Sequence, residues 1–195
     1  VILTGATETA ELFRSWRPEM NLSAETSGKN AIIVTPAADP DLAVADIFRS
    51  AFGHSGQKCS AASLVILVGK AGESRRLRTQ LLDAVATLRV GPGTDISTTM
   101  NGVIEPPGEK LLRGLTRLEA GETWLLKPEK LDEEGRFWSP GVRDNVRPGS
   151  WFHTHECFGP VMGIRHAATL DEAIDWQNST GFGLTGGIHS LDDAE

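Results

Sequence analysis

Two side chains that can act as a base and a nucleophile stand on glycine-flanked bends. Glu25 lies in Ala24-Glu25-Thr26-Ser27-Gly28-Lys29-Asn30, and Cys59 in Phe52-Gly53-His54-Ser55-Gly56-Gln57-Lys58-Cys59-Ser60. A carboxylate can take a proton from water, and a thiolate can attack an electrophilic carbon. Where an apolar, strand-like run meets glycine, a side chain can face a cleft instead of a core. Plainer readings stay open beside this one. A free cysteine is often a small buried hydrophobe, and Glu25 could be a strand-end carboxylate paired with Lys29 or another cation. Cys59 with His54 as its base would suit a cysteine hydrolase, and a third reading is a non-catalytic module that acts by packing. His153-Thr154-His155-Glu156-Cys157 also gathers metal-capable side chains. On a strand the two histidines would share a face, but Glu156 would point away and no second ligand cluster follows, so no metal site is read.

The elements that must carry these residues alternate. Val1 to Leu3 reads as a strand and Glu8 to Arg17 as a helix closed by Pro18. Asn30 to Thr35 is an apolar strand, Asp41 to Phe52 a helix with Leu42, Ile47 and Phe48 on one face, and Ser63 to Val68 a fully apolar strand. Arg75 to Val90 sets Leu77, Leu81, Leu82, Val85 and Leu88 on a helical stripe, and Glu109 to Glu119 repeats it more weakly. Gly121 to Gly149 suggests short strands and loops. Val161 to Ile164 reads as a strand, Leu170 to Asn178 as a helix with Leu170, Ala173 and Ile174 inward, and Leu184 to Ile188 as a strand. This alternation predicts an α/β fold, a layered sheet with flanking helices.

Composition narrows the function classes. The 195 residues are 39% apolar and 23% charged, with a formal net charge of −7. An acidic chain of this kind does not suit nucleic acid or an anionic membrane, and Arg75-Arg76-Leu77-Arg78 is too short to reverse that; it reads as a solvated helix face. Two distant cysteines offer neither a disulfide framework nor a CxxC metal site, so a reducing, cytoplasmic setting is expected. No apolar run is long enough to span a membrane and no signal peptide is evident. The chain starts at valine inside a β-turn-α unit, where a buried strand would need neighbours. It stops just after Ser190-Leu191-Asp192-Asp193, which has the serine and acid of a helix start. Both ends lead to the expectation of a fragment truncated from a longer parent.

Read in order, Leu3-Thr4-Gly5-Ala6-Thr7-Glu8, Glu25 to Asn30, Gly56-Gln57-Lys58-Cys59, Glu156-Cys157-Phe158-Gly159-Pro160-Val161 and Asn178 to Gly187 resemble the aldehyde dehydrogenase superfamily. Gly56 to Ala61, Trp151-Phe152-His153 and Gly183 to Ser190 look most like its L-glutamate-γ-semialdehyde (1-pyrroline-5-carboxylate) dehydrogenase branch. That branch occurs alone or fused to proline dehydrogenase in proline-utilisation proteins.

The resemblance implies that residues 1–27 end a NAD-binding domain and 28–195 form most of a catalytic domain. It implies Cys59 as nucleophile, through a thiohemiacetal and a thioester, and Glu25 as general base. The Cys59 amide would form half of an oxyanion hole whose other half lies upstream. Glu156 would bind the nicotinamide ribose, Phe158 would pack near the nicotinamide, and Gly5 would lie close to the pyrophosphate. Ala6 stands where the family pattern commonly has serine, which removes one hydroxyl contact. Ser60 would contact the substrate carboxylate. The implied cofactor is NAD, with NADP left open, the partner a small-molecule aldehyde, and the parent a homo-oligomer.

Overall fold

The computed structural model describes residues 1–195. Strand β1 (Ile2–Thr4) turns at Gly5 into helix α1 (Thr7–Trp16), and β2 (Ser23–Glu25) returns to pair with β1 in parallel. These two strands form a sheet of their own. The expected buried strand at the N-terminus is corrected here: Ile2 is 91% exposed, because β2 is the only strand beside β1 and no second layer covers the pair.

From Asn30 onward the chain builds a six-stranded sheet. In chain order come β3 (Asn30–Val34), α2 (Pro40–Phe52), β4 (Ala62–Val68), the short α3 (Lys70–Glu73) and α4 (Arg75–Ala86). Then follow α5 (Glu109–Thr116), β5 (Thr123–Leu126), β6 (Gly141–Asp144), α6 (Trp151–Thr154), β7 (Val161–Ala167), α7 (Leu170–Asn178) and β8 (Gly186–His189). The strand order is β5-β6-β7-β4-β3-β8, parallel throughout except for β5, which runs antiparallel to β6.

Because successive side chains of a strand face opposite ways, the continuous apolar runs of β3 and β4 must be covered on both sides. Val34, Val65 and Leu67 enter one core with Ile47 and Phe52 of α2 and Leu77, Leu81 and Val85 of α4. Ala31, Ile33, Leu64 and Ile66 enter a second with Leu111 and Leu115 of α5, Phe152 of α6 and Ala173 of α7. Helices therefore flank the sheet on both faces, as the sequence predicts.

Local details differ from expectation. Asp39 caps α2 through its carboxylate and Pro40 opens it, but the buried stripe is Ala43, Val44, Ile47, Ala51 and Phe52, and Leu42 is 53% exposed. Five residues of helix turn Leu42 roughly 140° away from Ile47, so the two cannot share a narrow face. Helix α4 stops at Ala86, short of Val90, since Arg89 N–H bonds to the Thr99 hydroxyl and Val90 bridges to Met100. At the C-terminus the Ser190 hydroxyl accepts from Asp192 N–H and donates to the Glu195 carboxylate, but no helical turn follows.

Candidate active site

The loop bearing Cys59 is set by backbone geometry before any side chain acts. His54, Ser55 and Gly56 take left-handed φ values of 53°, 57° and 67°, an unfavourable run for two non-glycine residues. Gly56 is required at its place: a Cβ there would lie 2.3 Å from the Gly159 carbonyl oxygen and 2.9 Å from that of Ala51. The chain then makes the turn Lys58–Ala61, closed by Ala61 N–H donating to Lys58 O at 3.0 Å, with Cys59 exposed at its second position.

Gln57 ties this loop to its surroundings. Its Nε2 donates to Phe158 O at 3.2 Å and its Oε1 accepts from Ile104 N–H at 2.8 Å. Phe158 has φ 54°, so the facing loop also holds a left-handed non-glycine residue, and this phenylalanine is 39% exposed instead of joining the core. Strain on both walls of a cleft, held by packing behind them, is characteristic of a functional site.

A cleft of about 360 Å³ brings together Gly5, Glu25, Cys59, Glu156 and Phe158, along with Thr4, Ala6, Lys110 and Cys157. Residues separated by most of the chain thus meet between the two sheets. Ser60 faces elsewhere, lining an adjoining hollow with Asn30 and the Thr185–His189 segment. Glu25 is exposed and pairs with no cation. Lys29 is instead 2% exposed, its ammonium 4.0 Å from the centre of the Phe152 ring and without a hydrogen-bond partner. Burial pulls its pKa down to about 8. On the opposite rim, Lys110 of α5 pairs with Glu8 of α1, and that hydrogen bond holds the Glu8 carboxyl below the usual range.

The groups that would receive a dinucleotide fit one. A Cβ at Gly5 would meet only Leu3 Cδ1, at 3.8 Å, so an anion can approach the opening of α1, where Ala6 offers no side-chain cap and the Ser27 hydroxyl accepts from Thr7 N–H alone, at 3.4 Å. Exposed amides at a helix N-terminus suit a phosphate. Glu156 is held by Gly28 N–H at 3.2 Å, the one hydrogen bond it accepts within the chain, which leaves carboxylate oxygen capacity for a vicinal diol.

The competing chemistry is not assembled. His54 is exposed and lies outside the cleft that holds Cys59. His153 and His155 lie on α6 and its C-cap instead of a strand. His153 Nδ1 accepts from Gly149 N–H, so Nε2 carries the proton and donates to Trp176 O at 3.1 Å; burial pulls its pKa down. His155 stacks on Trp151 with ring centres 4.9 Å apart. No three His, Cys, Asp or Glu side chains are grouped to hold a metal ion.

Sequence reasoning assigned no role to Asn30, Gln57, Gly28 or Lys110. A buried asparagine opening an apolar strand was the available signal for Asn30; Lys110 gave none, since a helical lysine is ordinary surface.

Comparison with known proteins shows which family the chain resembles. The aldehyde dehydrogenase family profile matches residues 1–195. A 1-pyrroline-5-carboxylate dehydrogenase of Geobacillus sp. (strain WCH70) is 35% identical over 168 residues, 86% of this chain and 32% of that protein. Among solved structures, Proline Utilization A from Corynebacterium freiburgense superposes with a TM-score of 0.95 at 76% identity, covering 99% of this chain and 20% of that one. The 1-pyrroline-5-carboxylate dehydrogenase from Thermus with bound NAD gives a TM-score of 0.86 at 31% identity over 99% of this chain and 39% of that one. The chain thus spans about a third of the length of the first of these relatives.

Proposed function

Because the chain belongs to the aldehyde dehydrogenase family, we propose that the enzyme containing it oxidises L-glutamate γ-semialdehyde to L-glutamate with NAD. The observation that carries this reading is the convergence of Cys59, Glu25, Glu156 and Gly5 on one cleft. The choice of substrate rests on the similarity to 1-pyrroline-5-carboxylate dehydrogenase and Proline Utilization A. The division of the chain into a nucleotide-binding end, residues 1–27, and a catalytic part, residues 28–195, is supported by its two separate sheets.

The Cys59 thiolate adds to the aldehyde carbon, and its own backbone amide helps hold the oxygen that becomes negative. NAD, when held by Gly5, Glu156 and Phe158, would supply the hydride acceptor that this oxidation needs. The product on the enzyme is a thioester at Cys59. Glu25 then takes a proton from water, the hydroxide attacks the thioester carbon, and the Cys59 thiolate departs as the carboxylic acid is released. Glu156 would hold the nicotinamide ribose through its carboxylate, and Phe158 would pack beside the nicotinamide. Ser60, on the other side of the nucleophile's turn, is assigned to the substrate carboxylate. Free thiols at Cys59 and Cys157 accord with a reducing cytoplasm, and no helix is long and apolar enough to cross a membrane.

The test is reduced-nucleotide formation by the enzyme with this semialdehyde and with aldehydes lacking the α-carboxylate, for unsubstituted, Cys59→Ala and Glu25→Gln forms. Cys59→Ala should abolish turnover and Glu25→Gln lower it about 10²- to 10⁴-fold. Full activity in Cys59→Ala removes the mechanism; equal kcat/KM for aldehydes without a carboxylate removes the substrate.

A further inference from the structure

Asn30, a residue only 4% exposed, places a carboxamide at the start of β3, an otherwise apolar strand. Both ends of this amide are engaged. Nδ2 donates to the Cys59 carbonyl at 2.7 Å and to the Ala61 carbonyl at 3.0 Å, while Oδ1 accepts from Thr185 N–H at 3.1 Å. The two carbonyls lie in the turn that presents the thiol. The Cys59 carbonyl belongs to the peptide plane joining Cys59 to Ser60, so pinning it fixes the direction in which both side chains leave the turn. Gly28 packs against the same contact: a Cβ there would lie 3.1 Å from the Cys59 oxygen and 2.9 Å from Asn30 Oδ1.

We propose that Asn30 is a positioning residue for the nucleophile, a clamp that holds the Cys59 turn from behind and joins it to the strand-entry segment at Thr185. This rests on the reading of Cys59 as nucleophile. Neutral carboxamide chemistry is what the place demands. An aspartate could keep the bond to Thr185 N–H but would set an acceptor against two carbonyl oxygens, and an apolar residue would leave all three groups without a partner. Because a displacement of the reacting atom by about 1 Å can cost about a hundredfold in rate, loss of the clamp is felt in turnover more than in nucleotide binding.

Asn30→Ala and Asn30→Asp in the enzyme containing this chain test the clamp by two readouts. Amide exchange should quicken at Ala61 in both variants, but at Thr185 only in Asn30→Ala. Turnover should fall at least about tenfold in both, with KM for the nucleotide within about twofold of the unsubstituted value. Wild-type kcat in Asn30→Asp, or unchanged exchange at Ala61, overturns the proposal while leaving the proposed function standing. A parallel rise in both KM values with exchange raised along all of β3 marks general disruption and also overturns it. If the unsubstituted enzyme oxidises no aldehyde, the proposed function falls, and the exchange pattern at Ala61 and Thr185 still decides the clamp.

Discussion

Glu25 and Lys29 stand four positions apart in sequence, and the fold sends them to opposite environments. Glu25 stays exposed at the cleft, whereas Lys29 is folded under Phe152 on the core side of the sheet. Arg143, also buried, lies 4.3 Å from the centre of the same ring, with Glu122 as its ion-pair partner at 3.4 Å. Burial dominates the Lys29 titration, with the like charge of Arg143 acting in the same direction and Cys157, Glu156 and Glu122 opposing it. The folded pKa of about 8 lies below the ordinary lysine value of 10.5. The unfolded chain therefore holds more protons than the folded one across that interval, and stability rises with pH through it. Between pH 8 and 10.5 the unsubstituted protein should gain about 3 kcal/mol relative to Lys29→Met. Denaturant unfolding of both proteins across this window checks it. Cys157, whose thiol burial pushes up, favours the folded state less as pH climbs past its ordinary range, and because Lys29 acts on that thiol the comparison is repeated with Cys157→Ala in both proteins. A constant gap between the two curves would show that Lys29 does not titrate there.

Two loops, one after α2 and one before β7, form the walls of the cleft, and each reaches its place through left-handed backbone. They meet at Gly56 and Gly159, where the backbones approach too closely for a side chain on Gly56. Gly56→Ala should destabilise the protein by about 2–4 kcal/mol, combining a left-handed φ with a backbone collision. Gly149 is a matched control: its φ is 75°, but nothing lies within 4 Å of a Cβ built there. Gly149→Ala should cost only about 1–2 kcal/mol, the conformational part alone. Equal losses in the two variants, read by denaturant unfolding, would remove the close approach as the cause. Helix positions along the sequence were readable from apolar spacing, as α7 shows in full. Helix rotation was less so: Leu42 is as apolar as Ile47, and only the seat of α2 on the sheet turned it outward.

Across the whole molecule the cleft lies between a two-stranded sheet and a six-stranded one, bridged by the Glu8–Lys110 pair. Of the groups assigned to nucleotide, Gly5 comes from the smaller unit, while Glu156 and Phe158 come from the larger. The chain spans about a fifth of the Proline Utilization A chain it matches. On the proposed function, the 195-residue chain alone should therefore give little or no turnover. Side-by-side assays of semialdehyde-dependent nucleotide reduction check this; comparable kcat/KM from the isolated chain would show that it already holds a complete nucleotide and substrate site.

Chemical identity is local, so the sequence by itself determined the base and nucleophile candidates, the α/β alternation and the ordered motifs that resemble aldehyde dehydrogenases. Cys59 and Glu25 stood out as candidates because a thiol and a carboxylate beside glycine need no knowledge of their neighbours to be noticed. What only the tertiary structure decided was contact: that Glu156 hangs from Gly28, that Asn30 grips the Cys59 turn from a different strand, and that Ser60 leaves the turn toward another hollow. The partners in the first two contacts are 128 and 29 residues apart. Neither hydrophobic period nor residue type encodes which distant polar groups will face each other, because that follows from strand register and helix seating once the two cores have formed.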